Sequence, residues 1–205
     1  YNTFLIMIRG SEWYWEDPSG QAHKVDKNYF TIRLHDSIIR FDAVFIAIHG
    51  TPGEDGLLQG YFEMTGIPYT GCTSYTSALT FNKNACKAFL KSFNVRMAHS
   101  IMFDRNSIPD PAFLAGELGL PMFIKPNESG SSFGVSKVNT GEEIIPAIEK
   151  AFTEGDQVLA EEFMDGTEVA CGVIITGEKT IVLPLTEIVS KNAFFDYEAK
   201  YDPSK

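Results

Sequence analysis

The chain alternates between short apolar runs and polar breaks marked by Gly or Pro, and the runs carry two different periods. Phe4-Leu5-Ile6-Met7-Ile8 and Ala43-Val44-Phe45-Ile46-Ala47-Ile48 are near-continuous apolar stretches, the pattern of strands covered on both faces. Between them, Asp17-Pro18-Ser19-Gly20 signals a turn, and the alternation around Tyr29-Phe30-Thr31-Ile32 predicts a small edge hairpin. After the second run, His49-Gly50-Thr51-Pro52-Gly53-Glu54-Asp55-Gly56 breaks the pattern, and a helix is predicted from Leu57 to Thr65. Strand, Gly-rich loop and helix in that order make the βα unit of an open parallel sheet. Its loop lies at the carboxyl end of the strand, where ligands collect.

Further on the period changes. A helix is predicted over Asn82 to Phe93, with Ala85, Phe89 and Phe93 on one face. Thr140-Gly141-Glu142-Glu143 reads as a capping box ahead of Ile144, Ile148 and Phe152 at helical spacing. Pro146 predicts a late start or a bend in that helix. Strands are expected at Met122 to Lys125, Phe133 to Val138, Gln157 to Phe163, Glu168 to Thr176 and Lys179 to Thr186, the last two joined by a Gly177-Glu178 turn. The fold class expected is therefore α/β: an open parallel-sheet domain, then an α+β domain with antiparallel strands.

Composition narrows the partners. A chain of 205 residues, 44% hydrophobic and 21% charged, suits one large or two small globular domains. The formal net charge of −10 argues against nucleic acid or an anionic membrane surface as partner. An anionic ligand would need local lysines and backbone dipoles instead. Cys72, Cys86 and Cys171 are scattered and odd in number, which favours a reducing cytoplasm over a disulfide framework. No apolar run approaches the ~20 residues that span a bilayer. The chain opens on Tyr1 and closes on Tyr201-Asp202-Pro203-Ser204-Lys205, and the expectation is an internal piece of a longer protein.

Against that acidic background, Lys125-Pro126-Asn127-Glu128-Ser129-Gly130-Ser131-Ser132-Phe133-Gly134 stands out. A loop of Gly and Ser between two strands can fold N–H groups and hydroxyls around phosphate oxygens. It is not a Walker loop, since no Gly-Lys-[Ser/Thr] follows and a strand comes next. A plain hairpin turn is an equally good reading of the loop by itself. Lys83, at the start of a helix, would converge with Lys125 on the same anion. Either lysine alone reads as a solvated surface residue, but Lys125 lies inside an apolar strand, where an idle charge is unexpected.

Three carboxylates follow. Glu161 and Glu162 close a strand and Glu168 lies past an Asp165-Gly166 turn. A carboxylate there can accept hydrogen bonds from a ribose or an amine, and the backbone between can pair with an adenine edge. One of the two adjacent glutamates is expected to be merely solvated. His49 ends its strand ahead of Glu54 at the mouth of the expected sheet, where a ligand role and a structural one are evenly matched. Phe194-Phe195-Asp196-Tyr197-Glu198-Ala199-Lys200-Tyr201 reads as a substrate-covering loop that brings Lys and Tyr into a site on closure.

Together these segments resemble the bacterial D-alanine–D-alanine ligases of the ATP-grasp superfamily. The likeness is carried by His49 to Gly56 with Gln59-Gly60, Ile67-Pro68-Tyr69-Thr70-Gly71, Ser77-Ala78-Leu79-Thr80-Phe81-Asn82-Lys83, Lys125-Pro126 with Gly130 to Val135, and Phe195 to Tyr201. It spans essentially the whole chain. The Lys-Pro…Gly-Ser-Ser loop alone would indicate only the superfamily.

The resemblance implies three domains, residues 1–76, 77–161 and 162–205, the last being the start of an incomplete C-terminal lobe. It implies that Lys83, Lys125 and Lys200 contact ATP phosphates beneath the Gly130, Ser131 and Ser132 loop. Glu161, the backbone at Phe163 and Met164, and Glu168 would hold adenine and ribose, with Phe194 against the base. Ser131 and Tyr201 would orient the first D-alanine and the loops, and His49 and Glu54 would line the amino-acid site. The implied reaction is ligation of two D-alanines through an acyl phosphate, for peptidoglycan precursors in the cytoplasm, by a homodimer that uses Mg2+ or Mn2+. The family's opening Gly-rich loop and its C-terminal Arg and metal ligands have no counterpart here, so no metal ligand is assigned in this chain. The piece alone is expected to be inactive. Alternatives are a D-alanine–D-lactate ligase, against which Tyr201 argues, and a non-catalytic ATP-grasp module that only binds nucleotide.

Overall fold

Alternation at period two builds the first part of the chain. In the computed structural model, which describes residues 2–189, the chain divides into two units, Tyr1–Ala78 and Leu79–Lys205. In the first unit, β1 (Ile6–Arg9), β2 (Glu12–Glu16), β3 (Ala22–Asp26), β4 (Thr31–Leu34) and β5 (Ser37–Arg40) form an antiparallel meander in sequence order. Side chains at every second position share a face, so Ile6, Ile8, Trp13, Trp15, Val25, Ile32 and Ile39 gather with Phe30 in one core. Helix α1 (Leu57–Thr65), as predicted, adds Leu58 and Phe62 to it. Gly66, at φ 69°, ends that helix by donating its N–H back to carbonyls of the last turn, a left-handed cap that Gly adopts without strain. The expected turn at Asp17 is there too: its carboxylate accepts from the N–H groups of Ser19 and Gln21 and pairs with His23 at 2.9 Å.

The α/β class holds, but the parallel sheet expected in this unit is reduced, among the described residues, to one bridge. Val44 pairs with Tyr69 in parallel, and Val44 exchanges hydrogen bonds with Pro68 and Thr70. Among the described residues the rest of Ala43 to Ile48 joins no ladder; Ile46 instead donates its N–H to the Thr70 hydroxyl at 3.1 Å. The first apolar run also differs. β1 belongs to an antiparallel sheet with a core on one face, so Ile6 and Ile8 pack on that core while Leu5 and Met7 of the same run are exposed.

In the second unit, β6 (Ser100–Asp104), β7 (Met122–Pro126), β8 (Ser136–Val138) and β9 (Gln157–Glu162) form an antiparallel sheet in the order β6-β9-β7-β8. Helices α4 (Pro111–Leu118) and α5 (Ile144–Ala151) supply Leu114, Leu118, Ile144 and Ile148 to a core completed by Met122, Ile124, Val158 and Ala160. The strand period then decides the other face. With Met122 and Ile124 turned to the helices, Phe123 and Lys125 turn away, and Glu161 leaves β9 on their side, opposite Phe123 in the register.

α5 begins late, as Pro146 predicted. The chain enters through a 3-10 turn over Gly141–Glu143, and Pro146 becomes the third helical residue, where its missing N–H leaves no bond unmade. The capping box is rearranged: Thr140 makes no side-chain cap, and Glu143 reaches back to the N–H of Asn139 at 2.7 Å. In sequence, α2 (Ser74–Phe81), unpredicted, is followed by α3 (Lys83–Lys91), which ends two residues short of the expected Phe93. Phe89 and Phe93 share a face as expected, yet both are exposed and lie against each other at 5.2 Å. β10 (Val169–Ile175) and β11 (Thr180–Glu187) form a separate antiparallel ribbon. No described helix is long and apolar enough to cross a membrane.

Candidate functional site

The outward face of the second sheet carries a cavity of about 490 Å³, within the range of small-molecule sites. Lys83, Lys125, Gly130, Ser131, Ser132, Glu161, Met164 and Glu168, all named from sequence, line it, as do Phe123 and Glu162.

Each lysine is delivered by a different element. Asn82 caps α3 by accepting from the N–H of Ala85 at 2.8 Å, which fixes Lys83 at the first helical position. Its ammonium donates to the backbone carbonyls of Asn127 (3.3 Å) and Ser129 (3.0 Å), the beginning of the Gly/Ser loop. Burial, helped by the nearby charge of Lys125, pulls the Lys83 ammonium down to about 8. Lys125 is set by the alternation of β7 and forms an ion pair with Glu161. The second oxygen of Glu161 takes an ion pair from Lys87, which also donates to the carbonyl of Ala98 at 2.6 Å. Burial pushes the Glu161 carboxyl up, but the charge of Lys125 and the hydrogen bonds of both lysines outweigh it and hold the group below its ordinary value.

Asn127 explains how the loop is anchored. It is almost fully buried; its Oδ1 accepts from the N–H of Asn84 at 2.8 Å, and its Nδ2 donates to Gln157 at 2.9 Å. One side chain thus ties the end of β7 to the start of α3 and the start of β9. Beyond it, Ser131 (φ 50°) and Ser132 (φ 60°) occupy the left-handed region, which costs an L-residue about 1–2 kcal/mol each. Gly134 follows at φ 70°, where a Cβ would lie 2.8 Å from Pro126 and 2.9 Å from Glu154. Strained backbone of this kind clusters where a loop must hold a ligand.

Of the adjacent glutamates neither is idle. Glu161 is bound to two lysines, and Glu162 accepts from the N–H of His99 at 2.7 Å while lining the cavity. The side chain of Phe163 is outside the lining: its ring sits 6.1 Å from that of Phe123 and 4.0 Å from the ammonium of Lys137. His49 and Glu54 belong to the first unit, 3.8 Å apart, and Glu54 accepts from the N–H of Gly50 at 2.6 Å. Phe194, Lys200 and Tyr201 lie outside the described residues. Sequence reading missed Lys87 and Asn127. The signal for Lys87 was its place one helical turn after Lys83; nothing in the sequence marks Asn127 as buried.

An antiparallel sheet with helices on one face, and on the other a lysine-lined cavity beneath a Gly/Ser loop, is an α/β arrangement of the ATP-grasp class. The family description "D-ala D-ala ligase N-terminus" matches residues 4–72 and "D-ala D-ala ligase C-terminus" matches residues 89–205. The chain belongs to the D-ala D-ala ligase family.

Individual relatives agree. A protein of Phocaeicola vulgatus named D-alanine–D-alanine ligase is 48% identical over 202 residues, covering 98% of this chain and 62% of that protein. Among solved structures, D-alanyl-alanine synthetase A from Vibrio cholerae O1 biovar eltor matches with a TM-score of 0.81 at 28% identity, over 98% of this chain and 60% of its own. The VanG D-Ala:D-Ser ligase from Enterococcus faecalis matches with a TM-score of 0.78 at 34% identity, over 97% and 63%. The chain thus spans about three fifths of the length of the curated relatives it matches.

Proposed function

We propose that the intact protein is an ATP-dependent ligase that joins two D-alanines for peptidoglycan precursor synthesis. The observation that carries this reading is the cavity of the second unit, lined by Lys83 and Lys125, the Gly/Ser loop at residues 130–132, and Glu161, Glu162 and Glu168, in a chain of the D-ala D-ala ligase family. Cations and loop suit a phosphate chain; Phe123 and the carboxylates suit a base and a sugar. Within an acidic molecule such a pocket selects a polyanion by local contact, because the global field opposes it.

In this reading Lys83 and Lys125 neutralise phosphate oxygens, while the strained Ser131–Ser132 turn closes over them and excludes water. Glu161 holds Lys125 in place, Glu168 and the backbone at Phe163 and Met164 take ribose and adenine, and Phe194 covers the base. Lys200 joins the phosphate contacts, and Ser131 and Tyr201 orient the first D-alanine. His49 and Glu54 line the amino-acid site. A carboxylate oxygen of the first D-alanine attacks the γ-phosphorus of ATP and releases ADP, leaving an acyl phosphate, and the amine of the second D-alanine then displaces phosphate to form the amide. Among the described residues no cluster of His, Cys, Asp or Glu fits a metal ion; this reading places the Mg2+ or Mn2+ ligands in the two fifths of the relatives' length that the chain does not match. A C-terminal lobe starting at 162, a homodimer formed through the first unit and a cytoplasmic location belong to the same reading.

The test is phosphate release from ATP by the intact protein with D-alanine alone, then with D-lactate or D-serine added, and products identified by mass. D-alanyl-D-alanine as main product is the expected result. A depsipeptide or a D-alanyl-D-serine product would reassign the second substrate, and ATP binding without turnover in any mixture would leave a non-catalytic module.

A further inference from the structure

Lys87 does not line the cavity, yet it is bound to the residue that aligns one of the cavity's two lysines. Its side chain is one-fifth exposed, held behind Glu161 by two contacts: the carbonyl of Ala98 at 2.6 Å and one oxygen of the Glu161 carboxylate. The other oxygen of Glu161 goes to Lys125. Helix geometry places Lys87 there, since it follows Lys83 by four residues and so rises one turn along the same face of α3. One helix therefore presents one lysine to the cavity and another to the back of the carboxylate that faces it.

We propose that Lys87 is a positioning residue of the nucleotide site: by occupying one oxygen of Glu161, it leaves Lys125 aligned and with charge to spare for a phosphate chain. The inference rests on the nucleotide reading of the cavity. Two ammonium groups on one carboxylate give the Lys87–Glu161–Lys125 cluster a formal charge of +1. Without Lys87, the Lys125–Glu161 pair is neutral and closed on itself, and Lys83 alone carries the attraction for a polyanion. Glu161, partly buried, also loses the donor that fixes its rotamer, and an underpaired carboxylate in that setting draws Lys125 away from the cavity.

The experiment compares wild type, Lys87→Met and Lys87→Arg in the intact protein, reading KM for ATP, KM for D-alanine, kcat, ATP affinity by calorimetry, and melting temperature. Met keeps the aliphatic stem and removes the charge; Arg keeps the charge and can donate to both Ala98 and Glu161. The expected result is a KM and Kd for ATP raised about tenfold in Lys87→Met, equivalent to ~1.4 kcal/mol. KM for D-alanine stays within about twofold, and Lys87→Arg recovers ATP affinity to within about threefold. ATP affinity unchanged in Lys87→Met would overturn the proposal. So would equal impairment of both variants, or ATP and D-alanine constants rising together with a lowered melting temperature, each the mark of a purely structural lysine. A wild type that binds no ATP would remove the nucleotide reading itself, and this inference with it.

Discussion

A lysine kept at about 8 by burial makes the site's affinity depend on pH in a definite sense. Phosphate binding needs the ammonium, so ATP affinity should fall as pH rises through 8, with calorimetry between pH 7 and 9.5 as the measurement. Lys83→Arg, whose guanidinium keeps its charge across that range, should flatten the fall. Stability has the opposite slope from the same group. Between about pH 8 and the ordinary lysine value of 10.5, the unfolded chain binds the proton that the folded one has released, so stability rises with pH there. Any stability advantage of Lys83→Met over wild type should therefore shrink across that window. Asn127 is the other residue with a defined cost. Truncation to Ala removes the acceptor of the Asn84 N–H and the donor to the Gln157 side-chain carbonyl, at about 1–2 kcal/mol in urea unfolding, and it should also raise KM for ATP by loosening the loop.

The elements explain which of these residues could be seen beforehand. α1 and the β10–β11 ribbon were legible because apolar residues recur between turn residues, Gly56 and Gly66 around α1 and Gly166 and Gly177 beside β10. Lys125 was legible for the same reason: a charge at an outward position of a strand whose alternate residues are wholly buried. The parallel sheet was not, because a continuous apolar run such as Ala43 to Ile48 states hydrophobicity without stating a pairing partner. Pairing is non-local, and among the described residues that run makes one bridge. Lys87 escaped notice because its role depends on a carboxylate 74 residues away. Gly134 tests the loop as an element. Adding a methyl group at φ 70°, where it meets Pro126 and Glu154 below 3 Å, should cost about 2–3 kcal/mol. In Gly134→Ala, urea unfolding should show that loss, and limited proteolysis should cut first between Ser129 and Val135.

The molecule combines a net charge of −10 with a cavity that sets Lys83 and Lys125 beside the Gly/Ser loop, so in the nucleotide reading the attraction for a polyanion is local and short-ranged. The ribbon of β10 and β11 is exposed throughout, including Ile174, Ile175, Val182 and Leu185, an apolar surface of the kind that marks a missing partner or an interaction site. The chain 1–205 alone, which spans about three fifths of its relatives' length, is expected to release no phosphate from ATP with D-alanine. For the intact protein the decisive reading is the fate of one oxygen. If ATP activates the carboxylate, a carboxylate oxygen attacks the γ-phosphorus and leaves with phosphate when the second amine attacks. With D-alanine labelled by 18O in its carboxylate, mass spectrometry of the released phosphate should show one labelled oxygen for each dipeptide formed. Unlabelled phosphate accompanying ATP consumption would mean that water, not D-alanine, takes the phosphoryl group, and would contradict the ligase reading.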